Sequence, residues 1–246
     1  MATIAVGDIH GNSKALSDLL AHLTPELGEG DTVVFLGDYI DRGPDTRGCI
    51  DLILEFQDRI PAKVVSLMGN HEDWLLRTLR DHTRHSWVLG MEAFETIRSY
   101  SAEAEAVLRR ELERAGLSLV TGSVRIPYEA LFDRMPVGHA HFLLNLKSFC
   151  RTPEAVCVHG GLDPGRGAAE EQEVEALLWG TDGFPGEYTG CDLVVYGHWD
   201  NADDDPAGWP RPKVHNRTIG IDTISRGVLT AIRLPDRRVF QSKRYD

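Results

Sequence analysis

Five short apolar runs in this chain each finish on a side chain able to hold a cation. Thr3 to His10 carries Asp8 and His10, Thr32 to Asp38 ends on Asp38, and Lys63 to His71 ends on Asn70 and His71. Ala155 to Gly161 carries His159, and Asp192 to His198 closes on His198. The donor set mixes carboxylate, imidazole and amide oxygen and contains no thiolate. Such a set suits Mn, Fe or Zn in an open catalytic site better than a closed zinc cage. Asp8 and His10 stand two apart in extended chain, so their side chains point to the same side. Two divalent ions about 3.5–4 Å apart would clamp a phosphoryl group and generate hydroxide near neutral pH. A single Asp after a strand is ordinarily a cap or turn residue, and a single His a half-buried ring. Seven such groups at the ends of five consecutive runs exceed what capping requires.

The runs themselves are short and β-branched, which predicts buried strands. Between the first three lie helical patterns. Ser13 to Leu23 groups Ala15, Leu16, Leu19, Leu20 and Leu23 on one face, and Thr46 to Gln57 groups Ile50, Ile53, Leu54 and Gln57. Strand alternating with helix predicts an α/β fold with parallel pairing. In such sheets ligands gather beyond the carboxyl ends of the strands, so the seven groups are expected to converge. From about residue 73 to residue 150 the pattern turns helix-rich, centred on GMEAFETIRSYSAEAEAVLRRELERAG, and predicts a helical insertion over the sheet edge. A polar loop, Asn201 to Lys213, precedes TIGIDT, VLTAIRL and RVFQS, which read as antiparallel closing strands. The acid run Asp203 to Asp205 reads as solvated loop. His139 and His141 form an H-x-H without a third ligand nearby, and His82 and His85, in an Arg-rich segment, read as solvated.

Composition bounds the remaining possibilities. At 246 residues a single domain is expected, with one core plus a small excursion. The 38 acidic against 26 basic residues give a formal charge of -12, which argues against a reader of nucleic-acid backbones and against a polybasic membrane anchor. No apolar run reaches the ~20 residues that span a bilayer, and a strand starting at Thr3 leaves no room for a signal peptide, so a cytoplasmic location is expected. Cys49, Cys150, Cys157 and Cys191 form no C-x-x-C pair, and no disulfide is assigned.

GDIHG (Gly7 to Gly11), GDYIDRG (Gly37 to Gly43), GNHE (Gly69 to Glu72), HGG (His159 to Gly161) and YGH (Tyr196 to His198) resemble, in order and spacing, the motifs of the phosphoprotein phosphatase family of calcineurin-like metallophosphoesterases. WVLGMEAFETIRSY and LLW (Leu177 to Trp179) are similar to its compact bacterial and phage branch. The resemblance implies a mixed-sheet β-sandwich flanked by helices. It implies a first metal held by Asp8, His10 and Asp38, and a second held by Asp38, Asn70, His159 and His198, with Mn the leading ion and Fe or Zn possible. It further implies that a hydroxide shared by both ions attacks phosphorus in line. His71, oriented by Asp41, would protonate the leaving oxygen, while Arg42 and Asn70 would bind phosphate oxygens.

The chain departs from that pattern in one chemically weighty place. Relatives usually carry an Arg shortly after LLW, but here Gly180, Thr181 and Asp182 follow, and no Arg comes before Arg211. Losing one cationic donor to a transferring phosphoryl group costs ~2–4 kcal/mol in the transition state if nothing replaces it. Arg166 and Arg226 are the candidate substitutes. Trp199 follows His198 where a small polar residue is common. Serine/threonine phosphoprotein phosphatase is the leading expectation, because relatives that cut diadenosine tetraphosphate often lack the acid at the Asp41 position. Diadenosine tetraphosphatase and a catalytically idle binding scaffold are the alternatives. The expected partner is a phosphorylated protein or a small phosphorylated molecule.

Overall fold

The computed structural model describes residues 1–200 and 208–245, and the acid run Asp203 to Asp205 lies outside them. Two five-stranded sheets face each other. The first runs β10 (Arg238–Gln241), β9 (Thr230–Leu234), β1 (Thr3–Val6), β2 (Thr32–Phe35), β3 (Lys63–Ser66). The second runs β4 (Phe149–Arg151), β5 (Val156–Val158), β6 (Val194–Tyr196), β8 (Thr218–Gly220), β7 (Lys213–His215). Strands β1, β2 and β3 pair in parallel, as do β5, β6 and β8.

Period-2 alternation divides each strand between two cores. Ile4 and Val6 of β1 and Val33 and Phe35 of β2 face outward to the helices, while Ala5 and Val34 face inward to meet Cys157, Val195 and Ile219 of the second sheet. On that sheet's far side Val156, Val158, Val194 and Tyr196 pack on Leu177 of α10 (Val174–Trp179). Both faces of the central strands are covered, which is why these runs are apolar throughout instead of alternating with polar residues.

Helix α1 (Ser13–Leu23) buries the five residues its periodicity singled out. Helix α2 (Thr46–Arg59) starts where the Asp45 side chain accepts from Gly48 N at 3.0 Å. Its stripe is Cys49, Ile50, Ile53 and Phe56; Gln57, expected on that face, is exposed. Helices α3 (Asn70–Arg80), α4 (Ser86–Gly90), α5 (Phe94–Tyr100), α6 (Ala102–Ala115), α7 (Ser118–Thr121), α8 (Glu129–Phe132) and α9 (Val137–Leu144) form the insertion. It does not merely overhang the sheet edge: Trp87, Ile97, Leu108 and Tyr128 join the same apolar cluster as α1 and α2. The helix-rich central stretch divides into α5 and α6 at Ser101, whose hydroxyl caps α6 by accepting from Ala104 N.

Two further expectations are corrected. Strand β8 has an antiparallel neighbour in β7 but pairs in parallel with β6 on its other side, and β9 and β10 return antiparallel to the first sheet. Both Thr218 and Ile219 are fully buried, so TIGIDT is a central strand whose apparent alternation does not mark a solvent face. His85 is not solvated. Its ring is buried against the Tyr128 hydroxyl (2.9 Å) and the Val124 carbonyl (2.8 Å), and His82 is half-buried beside it, 3.3 Å from Glu129. No helix among the described residues is long and apolar enough to cross a membrane.

Candidate metal centre and phosphate site

The carboxyl ends of β1, β2 and β3 in one sheet and of β5 and β6 in the other open onto the same rim, and all seven strand-end groups meet there. Asn70 Oδ1 lies 2.9 Å from His159 Nε2 and 3.0 Å from His198 Nδ1, and Asp38 Oδ1 is 3.4 Å from His159 Nε2. On the other side of Asp38, Oδ2 stands 3.4 Å from His10 Nε2 and 3.9 Å from His71 Nε2. Asp38 therefore faces two groups at once, His10 with His71 and His159 with His198. Asp8 sits behind them, its carboxylate accepting from His198 N at 3.0 Å.

The rings are aimed by their second nitrogens. His10 Nδ1–H donates to the Ile40 carbonyl (2.9 Å) and His159 Nδ1–H to the Leu36 carbonyl (3.0 Å), so in both rings Nε2 turns toward Asp38. Arg42 donates to His10 Nε2 at 2.9 Å, placing a cationic head on the cluster from the solvent side.

Two glycines let the carboxylates in. A Cβ on Gly69 would lie 2.5 Å from Asp38 N and 2.8 Å from its Cγ, and one on Gly197 would lie 3.1 Å from Asp8 Cγ. Five of the site residues, His10, Asp38, Asp41, Arg42 and His198, hold positive φ, a conformation non-glycine residues rarely adopt and one that concentrates at functional sites. Glu72 ties the loops together. One oxygen accepts from Tyr39 N (2.9 Å), the other from Asp38 N (3.0 Å) and Gly69 N (2.9 Å), which fixes the turn after β2 to the start of α3.

The buried carboxyl groups at the rim repel one another. Burial, then Asp222, raises the Asp8 carboxyl well above its usual range. Burial, then Asp38, pushes Glu72 up to about 7 and Asp222 up to about 6. Burial disfavours a charged His159, but Asp38 first and then Asp8 and Glu72 outweigh it and hold the ring up at about 10. His10 and His198 go the other way, pushed by burial to about 3 and about 4. Four buried carboxyl groups around three inward-turned imidazoles and an amide oxygen make a pocket whose repulsion a divalent cation relieves. Asp8, His10, Asp38, Asn70, His159 and His198 fit two such ions by donor type and convergence.

His71 is set apart by its partner. Its Nδ1–H donates to Asp41 Oδ2 at 2.8 Å, and both groups are buried. Burial lowers its pKa, yet Asp38 and Asp41 together raise it above the ordinary histidine value. Asp41 in turn accepts from Trp87 Nε1 (2.9 Å) and the Thr96 hydroxyl (2.6 Å). Both donors belong to the helical insertion, so its task at the site is to hold Asp41. The motif WVLGMEAFETIRSY contained both residues, but nothing in local spacing links them to Asp41.

The other candidates separate cleanly. His139 is a packed core ring, bonded to the Tyr100 hydroxyl (2.8 Å) and Asp51 (2.9 Å), and His141 is exposed. Arg166 pairs with Glu173 and Asp163 on the surface, and Arg226 lines a cavity with Asn12 and Arg244. Arg166 is thereby held on surface carboxylates, and after LLW it is the Trp199 ring that lies over Gly180. The structure adds Glu72 and Asp222, which sequence reasoning passed over. Asp222 ends β8 as Asp8 and Asp38 follow β1 and β2, and that repetition was the available signal.

The profile of the calcineurin-like phosphoesterases matches residues 1–201. Two bis(5'-nucleosyl)-tetraphosphatases of the asymmetrical type are similar nearly end to end. That of Oceanobacillus iheyensis is 25% identical over 94% of this chain and 88% of its own, and that of Bacillus velezensis 27% over 96% and 90%. A zinc-dependent endopolyphosphatase of Saccharomyces cerevisiae is 32% identical over 85 residues, 35% of this chain and a quarter of that protein. Among solved structures, one provisionally assigned as a diadenosine tetraphosphatase superposes with a TM-score of 0.60 at 22% identity, covering 100% of this chain and 94% of that one. With its sandwich and its rim of Asp, His and Asn side chains, the chain belongs to the calcineurin-like phosphoesterases, metal-dependent hydrolases of phosphate esters.

Proposed function

We propose that this protein hydrolyses dinucleoside polyphosphates, cutting a phosphoanhydride of a diadenosine tetraphosphate-like substrate asymmetrically into a nucleoside monophosphate and a nucleoside triphosphate. The observation that carries this reading is the end-to-end likeness to the two asymmetrical tetraphosphatases. The indole that lies after LLW, where a second phosphate-gripping cation is expected, supports it from the geometry.

Asp8, His10 and Asp38 would hold one divalent ion, and Asp38, Asn70, His159 and His198 the other. When bound, the ions supply charge neutralisation of the phosphoryl group and a water acidic enough to react near neutral pH. Arg42 grips a non-bridging phosphate oxygen from the solvent side, through a planar fork suited to it. Asn70 orients the phosphate from the floor. His71, whose protonated form Asp38 and Asp41 favour, delivers its Nε2 proton to the leaving oxygen. A departing nucleotide phosphate is already a stable anion near neutrality, so this proton matters less for an anhydride than for a serine or threonine ester.

The intact Asp41–His71 pair favours phosphomonoesters as the second reading. Purified protein with Mn²⁺, assayed in parallel on diadenosine tetraphosphate and a phosphothreonine peptide, separates the two. Turnover of the dinucleotide to adenosine mono- and triphosphate with kcat/KM at least tenfold above the peptide is expected. The reverse order would establish the phosphoprotein reading instead.

A further inference from the structure

A continuous row of aromatic rings leads away from the metal ligands. The His198 ring makes edge contacts with Trp199 at 5.0 Å and with Trp179 at 5.9 Å, and Trp179 packs on Trp74 at 5.1 Å. These residues come from the turn after β6, the end of α10 and the second turn of α3, so three separate elements build one surface. Trp199 is 41% exposed, and Trp74 and Trp179 are half-buried.

The seats of the indoles are built for them. Trp199 Nε1–H donates to the Gly160 carbonyl at 2.8 Å, which satisfies the only polar atom of the ring and leaves its π-face as what it offers. A Cβ on Gly180 would lie 2.8 Å from the Trp199 six-membered ring, and one on Gly90 would lie 3.2 Å from Trp74. At Gly180, where φ is also +71, only glycine lets the indole lie where it does, and at Gly90 any side chain would push Trp74 back by a few tenths of an ångström.

We infer that this row is a nucleobase shelf, on which a purine of the substrate stacks while its phosphates reach the metal rim. The inference rests on the dinucleotide reading above and names the part of the site that recognises the base. Every base has a π-face, and indole is a large rigid partner for it. Length decides between occupants. The ring of a phosphotyrosine is bonded directly to the oxygen on the attacked phosphorus and needs aromatic surface only beside the ligands. A base is separated from that phosphorus by a ribose and further phosphates, which matches a shelf that begins at His198 and continues outward through Trp179 to Trp74.

The test uses Trp199→Ala, Trp199→Phe and Trp74→Ala, with metal content checked in each because Trp199 neighbours a ligand. The ratio of kcat/KM for diadenosine tetraphosphate over inorganic tripolyphosphate should fall about tenfold in each alanine variant, mainly through KM, and recover in the phenylalanine variant. Adenosine monophosphate should quench the tryptophan fluorescence of the wild type and do so about tenfold more weakly in Trp199→Ala. An unchanged ratio with unchanged quenching overturns the shelf. Selective loss of phosphotyrosine-peptide turnover would overturn it in favour of an aryl phosphate. If the wild type cleaves no dinucleotide yet binds adenosine monophosphate through Trp199, the proposed function fails and the shelf stands.

Discussion

Replacing Gly69 by alanine adds one carbon at the most crowded point of the site. The backbone there, φ -91 and ψ 173, is open to any residue, so the effect is purely steric. The new Cβ would sit 2.8 Å from Asp38 Cγ and 2.5 Å from Asp38 N. Ordinary carbon–carbon contact is ~3.5 Å and Asp38 Oδ1 would lie closer still than Cγ, so the carboxylate must retreat by at least roughly 0.7 Å. Asp38 faces both ligand groups, and Glu72 holds its amide at 3.0 Å, so the strain cannot leave through the backbone. Overpacking of this kind costs about 1–3 kcal/mol, and at about 2–4 °C per kcal/mol for a chain of this size Tm should fall by roughly 2–12 °C. Displacing a shared ligand by the better part of an ångström should lower kcat/KM about 100-fold and weaken metal binding. Gly28→Ala is the control, since a Cβ there meets nothing nearer than Asp31 at 3.8 Å. Thermal unfolding, titration calorimetry with Mn²⁺ and steady-state hydrolysis read the three effects. A Gly69→Ala protein with wild-type metal affinity and kcat/KM within threefold would refute the argument that this glycine seats Asp38.

Three further outcomes follow from individual contacts. His71→Asn should retain both metal ions by elemental analysis and lose about 100-fold in kcat on an alkyl phosphate but under tenfold on an anhydride; loss of one ion would make His71 a ligand instead of a proton donor. Thr96→Val removes a 2.6 Å donor to the Asp41 carboxylate without changing shape, so stability should drop by about 1.5–3 kcal/mol in denaturant unfolding, with activity falling alongside; no change would mean that the insertion does not hold Asp41. The Arg98 hydrogen bond first, with help from Arg109 and against slight burial, lowers Glu105 from 4.5 to about 2. A depressed acid stabilises the fold above its unfolded pKa, so this contribution should be intact above pH ~4.5 and vanish as pH falls toward 2. The partners are solvent-exposed, so its size is under about 1 kcal/mol, and Glu105→Gln should flatten that part of the stability profile.

The sequence by itself determined the parts that depend on near neighbours. Donor types, their place at strand ends, the parallel pairing of the N-terminal strands and the α1 stripe all follow from periodicities of two or 3.6 residues, and these are local properties. Motif spacing carried the family, and with it the expectation that His71 stands apart from the ligands, which residue chemistry alone left open. Tertiary structure decided whatever depends on which surfaces meet. His159 and His198 reach Asn70 from a second sheet, 89 and 128 residues along the chain. Trp87 and Thr96 reach Asp41 because the insertion merges with the core of α1 and α2, and His85 is drawn inside by the same packing. β8 joined β6 in parallel because both its faces could be covered. The aromatic row beside His198 exists only once three elements are brought together. Such choices are made by burial summed over the whole chain, and no window of neighbouring residues contains that sum.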